Sequence, residues 1–262
     1  MAKLDQAARS GKMADKPASH AQSRTLARRA ARVTGTADGS SVDRRAGLLR
    51  IAARRFAEFG FEETTTRQIA ADANILSGSI YHHFDTKDEM LHEIIRDAVI
   101  STRDDTLRLA SADCDAEHRL VAMILLSMRE LISDQDTQAI LYNERRLFRR
   151  RLDFAYVTEA KAVAFRAWQG VLDEGAKSGL FKPGLDPFLT ITTIVRMLNT
   201  CADWFRHDSY GLEEPQNYDF AEVVKFNLGF ILAAIRDPAR ITAPIPHAAG
   251  ERMVEELTAS RA

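Results

Sequence analysis

Cysteine is scarce in this 262-residue chain, which contains only Cys114 and Cys201, far apart in the sequence. Neither a disulfide framework nor the paired cysteine spacing of a zinc finger is therefore present. No apolar stretch approaches the roughly 20 residues of a membrane-spanning helix, and the N-terminus lacks the apolar segment of a signal peptide. These absences predict a cytoplasmic protein with no membrane partner, and we expect no metal or other cofactor.

The chain also lacks a strong net charge, because 36 Lys and Arg residues and 37 Asp and Glu residues give a formal net charge of −1. The charge is unevenly distributed, however, since residues 1–42 carry +5 and contain no aromatic residue. Such a composition cannot bury enough surface to order itself, so we predict a disordered basic arm. The arm could reach DNA phosphates, or it could be a disordered tail without that role.

Helical periodicity dominates the chain from residue 43 onward. Leu48, Ala52, Phe56 and Phe59 recur at spacings of three and four, which places them on one apolar stripe of a first helix. Gly60 is well placed to end that helix. Strand-length alternation does not stand out, so we predict an all-α fold of about nine helices. The last five are predicted at 117–133, 137–148, 154–177, 187–206 and 219–236, followed by a flexible tail at 237–262.

Residues 64–87 read TTTRQIAADANILSGSIYHHFDTK, which predicts two short helices joined by a tight turn. Thr65 and Gln68 form a capping box at the start of the first of these helices. Asn74 lies in the turn, where a left-handed backbone is needed and Asn tolerates it. The layout is that of a helix-turn-helix, which places one exposed helix in the DNA major groove.

The exposed helix of this motif is predicted to begin after Ser77, whose side chain can cap it, and to run to Phe84. A second capping box at Thr86 and Glu89 opens a long fourth helix. We place the fourth helix at 85–108 and expect it to connect the DNA-binding residues to the rest of the chain.

The stretch from Arg44 to Ile95 combines Phe-x-x-x-Gly-Phe, a Thr-Thr pair, Ile-Ala and Tyr-x-His-Phe with a Lys three residues beyond. This ordered set resembles the TetR family of bacterial transcriptional repressors. The resemblance implies a helix-turn-helix domain at 43–88 and a ligand-binding and dimerisation domain at 89–236. It also implies a homodimer on palindromic operator DNA, in which helices 187–206 and 219–236 form a four-helix interface.

Within that family, the segment from Ile75 to Phe84 is similar to repressors of steroid and lipid catabolism in actinobacteria. Members of that group release DNA when they bind acyl-CoA-type metabolites. The resemblance therefore implies a small-molecule effector of the lipid, steroid or acyl-CoA type.

The same resemblance assigns the DNA contacts to the second and third helices and the start of the fourth. Tyr81 and Lys87 resemble residues that anchor the DNA backbone, whereas Ser77, Ser79 and His82 remain to read bases. These small side chains cannot form bidentate Arg–guanine contacts, so specificity also draws on Arg67, on water or on DNA shape. The predicted DNA-binding residues are Thr66, Arg67, Ser77, Gly78, Ser79, Tyr81, His82 and Lys87.

A ligand cavity is predicted among the later helices, which carry many Met and aromatic residues. Arg196 stands in an otherwise apolar helix, where a charge needs a partner; the candidates are Asp203 and an anionic group on the effector. Met and aromatic residues are also ordinary core residues. The predicted ligand-binding residues are Tyr142, Trp168, Arg196, Met197 and Trp204.

Other functions find less support in the sequence. Glu89-x-x-His92 matches half of a di-iron helix-bundle motif, but the second copy is missing, and no nucleophile elbow or phosphate loop is present. We therefore predict that the protein is not an enzyme. A DNA-binding activator, or a helical interaction protein without small-molecule sensing, remains the alternative to a ligand-responsive repressor.

Overall fold

The computed structural model describes residues 39–206 and 219–259, with side chains described for residues 43–201 and 219–259. The chain divides into two compact units, Met1–Arg44 and Arg45–Ala262. Of the first unit only the beginning of helix α1 is described, so the predicted basic arm lies outside the described residues except for its last four.

Eleven α-helices and two short 3₁₀ turns make up the described residues, which contain no β-strand and one isolated bridge between Phe181 and Arg236. The predicted all-α fold is confirmed. The helices are α1 Gly39–Phe59, α2 Thr66–Asp72, α3 Ser77–Ile80, α4 Lys87–Ala110, α5 Ala116–Ser133, α6 Gln135–Asn143, α7 Arg145–Arg150, α8 Ala155–Lys177, α9 Pro187–Arg206, α10 Phe220–Ile235 and α11 His247–Ala259, and the 3₁₀ turns are Leu152–Phe154 and Pro238–Arg240.

The described residues contain two helices more than the predicted nine. The segment expected as one helix at 137–148 is broken at Glu144, whose backbone leaves helical geometry at φ −89° and ψ 23°. The second addition is α11, in the tail that was expected to be flexible. There Val254 and Leu257 are buried, and Gly250 lies so close to Val121 and Leu125 of α5 that a Cβ would meet them at 2.9 Å. The sequence did not predict this helix because it is stabilised by packing against α5, which is distant in the chain.

The buried apolar residues form two clusters. The first lies inside α1–α4 and continues into α6, α7 and the beginning of α8. The second surrounds α5, which packs against the later part of α8 and against α9, α10 and α11. Helices α4 and α8 each contribute to both clusters, so they connect the helix-turn-helix residues to the C-terminal helices by direct packing.

None of the described helices combines the length and apolarity needed to cross a membrane. In the same residues, no group of three or more His, Cys, Asp or Glu side chains is arranged to hold a metal ion.

Candidate DNA interface and effector cavity

The helix-turn-helix takes its shape from two backbone features that the sequence predicted. Thr65 and Gln68 form the capping box at the start of α2, with the Gln68 N–H donating to Thr65 Oγ1 at 3.2 Å and the Thr65 N–H donating to Gln68 Oε1 at 2.8 Å. Asn74 has φ 54°, the left-handed conformation that lets α3 turn away from α2. Gly60 has φ 87° and ends α1 as expected.

Helix α3 differs from the expectation at both of its ends. Ser77 is its first residue, and the N-cap is Leu76, which supplies no side-chain hydrogen bond. The α-helix also ends at Ile80 and not at Phe84, although the Phe84 N–H still donates to the Ile80 carbonyl O at 3.0 Å. The sequence suggested Ser77 as the cap because Ser is a preferred N-cap residue, but the turn takes one residue fewer than assumed.

The predicted DNA-binding residues lie on the outer side of α2 and α3. Ser77, Gly78 and His82 are exposed, and Ser79 is half-buried. Tyr81 is 57% exposed, and its hydroxyl lies 3.3 Å from Thr66 Oγ1 at the start of α2. Tyr81, one of the two predicted backbone anchors, thus lies beside Thr66. Arg67 is exposed and makes no hydrogen bond or ion pair with any described residue.

Lys87 is held by the protein itself. Its Nζ donates to the carbonyl oxygens of Phe61 at 2.7 Å and Thr64 at 2.8 Å, and the ammonium lies 4.2 Å from the centroid of the Phe61 ring. These contacts direct Lys87 at the loop between α1 and α2. They fix the loop that presents α2, and the predicted contact between Lys87 and the DNA backbone stays a prediction.

A cavity of about 360 Å³ lies among α4, α5, α6, α8 and α9, with Arg145 of α7 at its wall. Three of the five predicted ligand-binding residues line it: Tyr142, Trp168 and Arg196. Met197 does not; it packs, partly buried, against the core around α5. The side chain of Trp204 lies outside the described residues, as does that of Asp203, the partner considered for Arg196.

Arg196 and Tyr142 meet at this cavity. Arg196 Nη1 donates to the Tyr142 hydroxyl at 3.3 Å, and the Arg145 guanidinium lies 4.4 Å from the centroid of the same ring. Arg196 itself is exposed, so solvent screens its charge, and the choice between Asp203 and an effector anion as its partner stays a prediction. The guanidinium reaches solvent because the helix face that carries it opens to the cavity and not to the core.

Sequence reasoning missed three ionisable groups that line the cavity, Arg103, Lys161 and Glu130. The stem of Lys161 is exposed, but its Nζ donates to the Leu141 carbonyl O at 3.0 Å, and burial of the ammonium, with a smaller contribution from Arg145, lowers its pKa to about 8. Glu130 accepts a hydrogen bond from Thr102 Oγ1 at 2.9 Å, and burial raises its pKa to about 7. The sequence feature that could have revealed Lys161 and Glu130 is a charged residue within an apolar stretch of a helix.

Comparison with known proteins identifies the fold. Residues 48–94 match the family described as bacterial regulatory proteins, tetR family, and residues 113–210 match the tetracyclin repressor-like C-terminal domain. The HTH-type transcriptional repressor KstR2 of Rhodococcus jostii is 33% identical over 163 residues, which are 62% of this chain and 80% of that protein. The chain belongs to the TetR family.

Solved structures agree with this assignment. The ketosteroid transcriptional regulator KstR2 of Mycobacterium tuberculosis has a TM-score of 0.66 and 28% sequence identity, and the match covers 78% of this chain and 99% of that one. The sequence of KstR2 from Mycobacterium tuberculosis is 33% identical over 172 residues, or 64% of this chain and 84% of that protein. This TetR-family protein is accordingly a ligand-responsive transcriptional repressor and not an enzyme.

The repressor exposes an apolar face on its last two long helices. Phe226 and Phe230 of α10 are 65% and 59% exposed and stack on one another with ring centroids 6.1 Å apart. Phe188 and Leu189 at the start of α9 are 59% and 63% exposed. By contrast, Ile191, Ile194 and Leu198 of α9 and Val223 of α10 are buried within the subunit, so only part of each helix predicted for the dimer interface is available for it.

Proposed function

We propose that the repressor binds palindromic operator DNA as a homodimer in the cytoplasm and leaves it when an anionic amphiphile of the steroid or acyl-CoA type fills the cavity. The observation that carries the proposal is the cavity's composition. Apolar walls that include Leu131, Phe165 and Trp168 accompany the cationic side chains of Arg145, Lys161 and Arg196, and a fourth cationic residue, Arg103, is paired with Asp104.

The cavity supports an effector with both an apolar body and a negative charge. A volume of about 360 Å³ falls within the roughly 300–1,000 Å³ of small-molecule sites. The guanidinium groups of Arg145 and Arg196 converge on Tyr142 and have no carboxylate within ion-pairing distance among the described residues. Guanidinium groups bind carboxylate and phosphate well. The relatives named KstR2, one of which is called a ketosteroid transcriptional regulator, support a steroid-type body.

The exposed surface of α2 and α3 supports operator binding. We propose that Thr66 and Tyr81, whose hydroxyl oxygens are 3.3 Å apart, contact DNA phosphates. Ser77, Ser79 and His82 are proposed to contact bases. Gly78 is exposed and a Cβ there would meet nothing within 4 Å, so the backbone can approach the groove. We propose that Lys87 acts indirectly, by fixing the loop before α2.

The apolar face of α9 and α10 supports a homodimer. Exposed aromatic side chains of this size favour a protein contact, and two copies of a helix pair would form a four-helix interface. Sedimentation velocity tests this point. Phe226→Glu combined with Phe230→Glu should convert a dimer into a folded monomer, whereas Leu152→Glu, at a side chain 92% exposed on another surface, should leave the dimer intact. A wild-type monomer at micromolar concentration would contradict the proposal.

Two connections support coupling between the cavity and the DNA interface. Helix α4 holds Lys87 at its first turn and lines the cavity with Val99, Thr102 and Thr106. Between the cavity residues Tyr142 and Arg145, the Glu144 carboxylate accepts a hydrogen bond from the Phe61 N–H at 2.8 Å. An effector that moves either element changes the position of α2 and α3, and a difference of about 1–3 kcal/mol between the two states suffices for regulation.

Selection of genomic DNA fragments by the protein, followed by sequencing, tests the DNA-binding part of the proposal. The wild type should enrich a palindrome, and Arg67→Ala and Tyr81→Phe should reduce its enrichment. Arg252→Ala, at an exposed arginine of α11, serves as the charge-matched control and should behave like the wild type. Enrichment of no sequence at low salt would contradict operator binding.

A further inference from the structure

Glu130 is the one carboxylate among the described residues that line the cavity. It belongs to α5 and is half-buried, with Oε1 accepting the hydrogen bond from Thr102 of α4 at 2.9 Å. Among the described protein groups, only Thr102 donates to this carboxyl, and the other oxygen is not one of the buried side-chain atoms that lack a partner. The remaining oxygen therefore has capacity for a partner inside the cavity.

The carboxyl is not part of the cationic group around Tyr142. Among the described residues, no Lys, Arg or His nitrogen lies within 4.0 Å of it. The nearby cations have other neighbours: Arg103 is paired with Asp104 at 2.7 Å, and Lys161 donates to the Leu141 carbonyl. The cavity thus contains a cationic cluster and, apart from it, a lone acid beside a hydroxyl.

Burial favours the neutral form of the Glu130 carboxyl, which acts as a hydrogen-bonding group. Because its pKa is raised to about 7, a large share of the protein carries a neutral Glu130 near neutral pH, and a neutral carboxyl can both donate and accept. Purely hydrocarbon contact would leave its second oxygen without a partner, and buried polar atoms without partners are costly. A ligand that offers an oxygen at this point avoids that cost.

We propose that Glu130 selects the effector by a hydrogen bond to a hydroxyl or carbonyl oxygen on its apolar body, in addition to the anionic group bound by Arg145, Arg196 and Lys161. This inference rests on the proposed effector site and narrows its ligand class. Hydrocarbon-tailed anions such as unsubstituted fatty acyl-CoA fit the cationic cluster but leave Glu130 unpaired. Oxygenated ring acids, as their CoA thioesters, offer Glu130 an oxygen, and the phosphates of the CoA supply the negative charge, because a thioester has no carboxylate.

Isothermal titration calorimetry with three steroid-acid CoA thioesters tests the inference. The three share one ring system and carry a ring ketone, a ring hydroxyl or no ring oxygen. The wild type should bind the oxygenated pair about tenfold more tightly than the deoxy compound, which is the effect of one buried hydrogen bond. Glu130→Leu should bind all three within about threefold of each other. Glu130→Gln, whose amide also donates and accepts, should retain part of the preference.

The controls separate ligand selection from folding. Glu159→Leu changes an exposed glutamate of α8 outside the cavity and should keep the wild-type preference. Should Glu130→Leu not fold, the comparison of the wild type with Glu130→Gln still decides, because both residues keep the bond to Thr102. Equal wild-type affinity for all three compounds, or an undiminished preference in both Glu130 variants, would overturn the inference. Binding of none of them, with operator selection intact, would overturn it too and leave the repressor assignment standing.

Discussion

Glu144 Oε1 accepts a hydrogen bond from the Phe61 backbone N–H at 2.8 Å, and the same oxygen lies 3.4 Å from the position of a Cβ on Gly60. The carboxylate is therefore fitted to the turn that ends α1. Because Glu144 sits at the break between α6 and α7, two residues after Tyr142 and one before Arg145, a ligand that moves these cavity residues also moves the turn.

Loss of this hydrogen bond should uncouple the two sites. Glu144→Gln replaces a charged acceptor with a weaker neutral one, so we expect effector affinity within about twofold of wild type but a several-fold smaller loss of operator affinity on effector binding. Calorimetry gives the first quantity and fluorescence anisotropy of labelled operator the second. Glu159→Gln is the matched control. Unchanged release of DNA by Glu144→Gln would show that α4 transmits the signal without this bond.

Leu76→Ser should stabilise the protein. Leu76 is the N-cap of α3, gives no side-chain hydrogen bond and is 81% exposed, whereas a Ser side chain can accept from a free N–H of the first turn. A gain of about 1 kcal/mol in the free energy of unfolding is expected from urea titration. The control is Leu152→Ser, since Leu152 is 92% exposed and is not an N-cap. Equal effects of the two substitutions would argue against the capping explanation.

The buried pair of Arg236 and Glu117 should be sensitive to loss of one partner. Arg236 Nε and Nη2 donate to the two Glu117 oxygens at 2.9 and 2.8 Å, and Arg236 Nη1 donates to the Ala243 carbonyl at 2.6 Å. Arg236→Met leaves the Glu117 carboxylate buried without its partner, which should lower the free energy of unfolding by about 3–5 kcal/mol.

The double variant Arg236→Met with Glu117→Leu provides the test of that reason. It removes the stranded charge, so it should unfold at a higher urea concentration than Arg236→Met alone. Its stability should stay below that of the wild type, because the hydrogen bonds that Arg236 donates to the carbonyl oxygens of Ala243 and Pro244 are lost as well. A double variant that is no more stable than the single one would show that the pair matters through its backbone contacts alone.

Stability should depend on pH through Glu130. Its pKa is raised from 4.5 to about 7 in the folded protein, so the folded state retains a proton that the unfolded chain has released. The contribution of Glu130 to the free energy of unfolding is fully present below pH about 4.5 and is lost as pH rises through about 7. Glu130→Gln cannot lose a proton there. Its free energy of unfolding relative to wild type should therefore increase between pH 5 and 8, on the order of 1–3 kcal/mol. A constant difference across that range would contradict the shifted pKa.

The sequence predicted the helices that follow local rules and missed features that depend on tertiary contact. The box at Thr65 and Gln68, the left-handed Asn74 and helix α9 at Pro187–Arg206 came out as expected. The break at Glu144 did not, because its cause is the contact with Phe61, 83 residues away in the chain.

The candidate sites show the same division. Tyr142, Trp168 and Arg196 were predicted to bind the ligand and do line one cavity. Lys161 and Glu130 were missed because a charged residue in a helix normally faces solvent, and only the packing of α4, α5, α6 and α8 turns their polar ends inward. Lys87 resembled a residue that anchors the DNA backbone, yet its ammonium donates hydrogen bonds to the carbonyl oxygens of Phe61 and Thr64.

Fluorescence anisotropy of the selected operator, titrated with an oxygenated steroid-acid CoA thioester, tests the central claim most directly. Wild-type protein should bind the operator selectively and release it as the compound is added, and Arg196→Met should need a higher concentration because one cation of the cavity is lost. Selective binding that no concentration of this compound reverses would contradict the proposed effector class.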